Sequence, residues 1–266
     1  MSSSTGFNER PPNPSIDRKP WGLAEASVGW LGFNIVGAFV ILAVVAVGDW
    51  TLQTPARPGG NVGRAVAQYH SGSELTDDAL PLLAQLLSLA PGWIALLGGA
   101  WLLAAVRGHS RPGWRVSFAP VDVPLGVATG LLLQVPVIVV LYTVLQAIFG
   151  DFALSNRAQT LADQVDTPLK VIAVFAFVAV GAPIVEELFY RGLVQRALVD
   201  RFGAVAGIAV SGITFGAVHL SLVEFPALVA AGIAFGVLYH RTGRLATPII
   251  AHIAFNSFTL IVLLLL

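Results

Sequence analysis

The sequence predicts an all-α fold, a polytopic helical membrane protein, on three observations. Of its 266 residues, 56% are hydrophobic and 11% charged, against roughly 25% charged in an ordinary soluble domain. The apolar residues gather into long runs and the mean hydropathy is +0.78, the composition of a chain that crosses a bilayer several times. The few charges inside those runs concentrate at Glu186, Glu187 and Arg191. A carboxylate at the middle of a span costs roughly 2.5–3.5 kcal/mol on insertion scales, so such groups face protein or water.

The elements follow in order. Residues 1–25 read as a polar cytoplasmic tail, rich in Ser, Pro and Asn and holding Arg10, Arg18 and Lys19. No short apolar core with a small-residue cleavage site follows, so a retained, disordered tail is expected and not a removed signal. Residues 26–266 then make one helical membrane domain. Its first run, Val28 to Val47, has Trp30 and Trp50 near its ends as interfacial anchors. A polar loop over 48–79 leads to a second run, Leu80 to Val106, which Pro91-Gly92 should kink. The third run is Val123 to Phe149, and the fourth starts at Pro168 and carries the glutamates. A fifth reaches from Gly203 to His219, a sixth ends at Tyr239, and the last is Ala246 to Leu266. Lys and Arg cluster in the tail and at 107–115, 191–201 and 241–244, segments that the positive-inside rule assigns to the cytoplasm. The expectation is seven spans, or eight with a re-entrant piece, in a bacterial-type plasma membrane with the N-terminus inside.

Zero net charge leaves no basic surface for nucleic acid, and the absence of cysteine removes disulfides, thiolate metal sites and cysteine nucleophiles together. The chemistry is left to a few residues in the C-terminal half. Glu187 and Arg191, four apart on a helix, share a face and can pair, as a purely structural ion pair also would. Glu186 points about 100° away, open to another partner. His219 ends the run Phe215-Gly216-Ala217-Val218-His219; a lone histidine there is more often interfacial than catalytic. His252 and Asn256 again share one helix face, where interhelical hydrogen bonding is the plain alternative to a site. His70, His109 and His240 sit in loops or a connector and are given no role. Together, two carboxylates, two histidines and an asparagine are residue types that activate water and stabilise an oxyanion.

Their order, Glu-Glu-x-x-x-Arg (Glu186, Glu187, Arg191), Phe-x-x-x-His (Phe215, His219) and His-x-x-x-Asn (His252, Asn256), resembles the CAAX protease and bacteriocin-processing (CPBP, or Abi) family of intramembrane proteases. The resemblance covers residues 171–258, with the catalytic core at about 168–260, and no motif in the N-terminal half matches. It implies a helical membrane peptidase acting on a membrane-associated peptide or protein near the cytoplasmic face. Eukaryotic relatives remove the last three residues of prenylated proteins. The implied chemistry is peptide hydrolysis with Glu186 as general base and His219 holding and polarising the water. His252 and Asn256 would donate to the oxyanion, with Glu187, Arg191 and Phe215 in support. No obligatory cofactor is expected. The alternative is a zinc peptidase with Glu186, His219 and His252 as ligands, although the helix-borne His-Glu-x-x-His signature is absent.

Two other readings stay open. Ser211, in Ala209-Val210-Ser211-Gly212, approximates a rhomboid-type serine protease motif with His252 as base, but its first glycine is missing and the glutamates are left without a task. A non-enzymatic transporter or peptide-binding immunity protein would also place Glu and His in membrane. The proposed site meets one difficulty. Glu186 falls near the cytoplasmic end of a span counted from Pro168 at 1.5 Å per residue. His219, counted from Gly203, falls near the opposite face.

Overall fold

The computed structural model of the chain describes residues 22–48, 82–107, 116–150 and 161–265. The N-terminal tail up to residue 21, Trp50 and nearly all of the 48–79 loop lie outside the described residues. Among the described residues, seven helical rods follow in chain order: α1 (Leu23–Gly48), α2 (Leu82–Val106), α3 (Asp122–Phe149), α4 (Pro168–Phe202), α5 (Ala204–Ala217), α6 (Phe225–Thr242) and α7 (Ala246–Leu265). The described residues contain no strand. The rods match the seven apolar runs one for one, and the chain is a multi-pass helical membrane protein. Five of them, α1 to α4 and α7, are long and apolar enough to cross a bilayer. The 14-residue α5 is too short, and α6 ends on His240 and Arg241 in its last turn.

Proline marks the irregularities. The break in α2 falls at Ser88, because Pro91 has no N–H for the Leu87 carbonyl four residues back. In α3, Pro136 sits inside a π-helical turn, Leu133–Val137. Thr167 caps α4 through its hydroxyl, which accepts from the Lys170 N–H at 3.4 Å, and Pro168 follows at the first helical position.

Helices in lipid gain nothing from hiding apolar surface from one another, so association rests on close packing. α1 and α2 meet through glycine: a Cβ at Gly29 would run into the Leu96 carbonyl, and one at Gly92 would lie 3.0 Å from the Phe33 ring. The same pair is tied at one end by buried Glu25, which accepts from the Gly22 N–H at 2.8 Å and faces Arg107 Nη1 at 3.5 Å. Ala26 of α1 and Leu96, Ala100 and Ala104 of α2 share one core with Phe189, Tyr190 and Leu193 of α4 and Phe215 of α5. A second knot holds the start of α3 to the turn between α6 and α7. There, fully buried Asp122 accepts from Ala119 N–H (2.7 Å), Arg244 Nη2 (2.6 Å) and Thr247 Oγ1 (2.6 Å).

α4 and α5 form a hairpin on Gly203. Its φ of +81° suits glycine alone among common residues, and its N–H closes α4 on Val199 O at 2.9 Å. α5 then packs on α6, where a Cβ at Gly232 would approach Gly212 Cα to 2.9 Å.

Candidate active site

The site is built around α4, a 35-residue helix. Two of its stretches, Phe175–Gly181 and Tyr190–Gln195, are wound as π-helix, a local rewinding that recurs at functional sites. Glu186 and Glu187 lie between them. Glu187 and Arg191 are fully buried, with Arg191 Nε 2.9 Å from Glu187 Oε2. That approach is close but not aligned as a hydrogen bond, so both atoms lack a hydrogen-bond partner, and the contact is an ion pair by attraction of charge. Arg191 Nη2 donates to the Gly232 carbonyl at 2.8 Å. The guanidinium lies 4.9 Å from the Phe215 ring and 5.5 Å from that of Phe235, a cation–π arrangement that suits a desolvated cation. One turn on, Gln195 Nε2 donates to the Gly236 carbonyl at 2.9 Å. A Cβ at Gly236 would sit 2.7 Å from the Gln195 side-chain oxygen, so a side chain there would displace the Gln195 amide from this rung between α4 and α6.

His252 of α7 is held between the two glutamates. Its Nδ1 lies 2.9 Å from Glu187 Oε1 and its Nε2 lies 3.8 Å from Glu186 Oε2. An ionised carboxylate only accepts, so Nδ1 carries the proton. Adjacent acids pointing about 100° apart on a helix therefore serve opposite nitrogens of one ring. The imidazole stacks on Phe235 (4.9 Å, 27°) and is met edge-on by Phe215 (5.7 Å, 78°). His219 Nδ1 is 2.8 Å from the Phe215 carbonyl, which likewise fixes the proton on Nδ1. Its ring meets that of Phe215 at 5.1 Å. Phe215, 1% exposed, thus touches both histidines and the arginine.

The difficulty over His219 disappears, because α4 does not end near Glu186. It continues 16 residues beyond, to Phe202, and the chain then reverses at Gly203. His219 stands 15 residues after Ala204, just past the end of the returning helix of that hairpin, so it comes back to the level of Glu186. Plain alternating spans do not bring the two together; a helix that starts deeper after Gly203, one of the two arrangements the sequence leaves open, does.

Glu186, His219, His252 and Asn256 all line one cavity of about 290 Å³. Its other walls are apolar: Phe33 of α1, Leu89 and Trp93 of α2, Leu228 of α6 and Phe255 of α7. Trp93 reaches this wall over Gly181, where a Cβ would lie 2.9 Å from the indole, and stacks on Phe177 at 5.8 Å. Asn256 Nδ2 donates to the Val178 carbonyl at 2.9 Å. Ser211 is buried on α5 and does not line the cavity. Among the described residues no three His, Asp or Glu side chains are arranged to hold a metal ion. Glu186, His219 and His252 as placed do not fit one.

Sequence reasoning missed Gln195, Phe235, Phe33 and Trp93. Only the first left a usable trace: Arg191 and Gln195 are four apart, as are the glycines 232 and 236 that accept from them.

Residues 168–258 match the family model described as type II CAAX prenyl endopeptidase Rce1-like. Over this stretch, about a third of the chain, the sequence is similar to that family. The matched region holds the whole polar side of the cavity, while the Phe33, Leu89 and Trp93 walls lie before it. The chain is also 32% identical over 114 residues to "Putative membrane peptidase YdiL" of Bacillus subtilis (strain 168), across 43% of this chain and 46% of that protein. It thus matches about half the length of that relative. No solved structure matches.

Proposed function

We propose that the protein is an intramembrane endopeptidase that hydrolyses a peptide bond with Glu186 as general base. The observation that carries the reading is the convergence of Glu186, His219, His252 and Asn256, from three separate stretches of sequence, on one cavity with apolar walls. Glu186 takes a proton from water as its oxygen bonds to the amide carbon, and His219 holds that water. Charge gathers on the carbonyl oxygen, where Asn256 offers the second hydrogen of its amide. His252 donates from Nε2 once both ring nitrogens carry protons, since Nδ1 is committed to Glu187. The tetrahedral species then collapses, the C–N bond breaks, and Glu186 returns its proton to the leaving amine. Glu187 and Arg191 hold the helix and His252 in place.

The substrate in this reading is a membrane-associated peptide or protein, and prenylated C-termini are the first class to try. The N-terminus is taken as cytoplasmic. No step requires a metal. The test uses the full chain in liposomes with quenched-fluorescent peptides, each with and without an S-farnesyl cysteine near the C-terminus. Glu186→Gln and His219→Ala are expected to abolish cleavage, and Asn256→Ala to slow it by roughly 10²–10³. Ser211→Ala and a chelator should leave the rate unchanged. Full cleavage by both the Glu186 and His219 variants would overturn the assignment. A chelator-induced loss restored by zinc would move Glu186, His219 and His252 to metal ligation.

A further inference from the structure

We infer that Pro183 is a positioning residue for Asn256: having no N–H, it leaves the Val178 carbonyl for the asparagine side chain to occupy. The activity arm of the test rests on the peptidase reading above; the placement itself does not.

The argument starts from backbone register. In the first π stretch of α4, the Ala182 N–H bonds the Phe177 carbonyl, five residues back. In that register the next carbonyl, Val178, awaits the N–H of residue 183, and residue 183 is proline. A carbonyl left open inside a bilayer helix has to find a donor from elsewhere in the protein. The donor is Asn256 Nδ2, 2.9 Å away on α7. Val178 and Asn256 both line the cavity, and Pro183 is buried on the Glu187 face of α4.

The consequence for Asn256 is directional. Its amide nitrogen carries two hydrogens. With one fixed on the Val178 carbonyl, the plane of the amide is fixed too, and so is the aim of the second hydrogen. An ordinary residue at 183 would let α4 satisfy its own carbonyl and release the asparagine. Proline closes that cheaper, local solution, and the π turn is the helical winding that goes with it.

The experiment compares wild type, Pro183→Ala, Asn256→Ala and the double variant of the full chain in detergent. It measures thermal unfolding and the kcat and KM for a reporter peptide that the wild type cuts. Pro183→Ala is expected to lower kcat by about tenfold or more, within the roughly 10²–10³ lost with an oxyanion donor, with KM unchanged and the unfolding midpoint not reduced. The double variant should cut no more slowly than Asn256→Ala alone. A backbone ester at 183 (lactic acid in place of the proline) removes the ring but also lacks the N–H, and should keep the wild-type kcat.

Wild-type kcat in Pro183→Ala beside an impaired Asn256→Ala, or losses that multiply in the double variant, would overturn the inference. If Pro183→Ala fails to fold, the ester decides: a folded ester chain with reduced kcat counts against the missing N–H. The same four chains compared by unfolding midpoint need no substrate. Non-additive midpoints are expected there, and additive ones would sink the placement even if the peptidase reading stands.

Discussion

Arg191 is fully buried in a membrane helix, and it is tolerated because each face of its guanidinium meets something: the Glu187 carboxylate, the Gly232 carbonyl and two phenylalanine rings. Breaking a buried ion pair leaves an uncompensated charge, which typically costs 3–5 kcal/mol. Arg191→Met is therefore expected to destabilise the protein by about 3–5 kcal/mol. Arg191→Lys should recover little, because a compact ammonium cannot stack on the two phenylalanine rings while reaching the Gly232 carbonyl. Thermal unfolding in detergent checks this, and a wild-type midpoint for the lysine variant would contradict it. The pairing itself was legible, since residues four apart on a helix must share a face. The grip of Glu187 on His252 was not: nothing in local periodicity links positions 65 residues apart.

At the scale of the element, the hairpin of α4 and α5 decides whether a site exists at all. It depends on one reversal at Gly203 and on close contact between α5 and α6 at Gly212 and Gly232. Gly232→Val would force those helices apart and carry the Arg191 acceptor and Phe235 with them. Overpacking of this kind costs typically 1–3 kcal/mol. The expected result is a midpoint lowered accordingly, together with lost cleavage; an active Gly232→Val chain of unchanged midpoint would show that the approach is not needed. The seven helices were readable from apolar runs bounded by polar connectors. The return of His219 to Glu186 was not, because hydropathy marks where a helix runs and says nothing of where the chain turns back. The π stretches were equally hidden, although Pro183 was in plain view.

For the whole molecule, the division of labour is uneven. The polar side of the cavity comes from the C-terminal half, which carried the motifs. Its apolar wall of Phe33, Leu89 and Trp93 comes from the half in which sequence reading found none. Packing surfaces need only size and shape, and leave no signature that a motif can register. The α1–α2 pair holds that wall in place, and a side chain at Gly29 would collide with the Leu96 backbone. Gly29→Val is expected to lower both cleavage and the unfolding midpoint. Loss of neither would mean that the N-terminal pair is dispensable to the site.

The shortness of α5 reaches beyond the protein. At 14 residues it is about 21 Å long at 1.5 Å per residue, well under the roughly 30 Å of a typical hydrocarbon core. Lipid beside it has to thin, or let water follow the helix end inward, and either response carries a hydrophobic-mismatch cost that grows with acyl length. The hydration of the site is then partly a property of its solvent. Cleavage in vesicles should fall progressively from short-chain to long-chain phosphatidylcholines at constant enzyme density. A rate indifferent to chain length would place the path of the attacking water wholly within the fold.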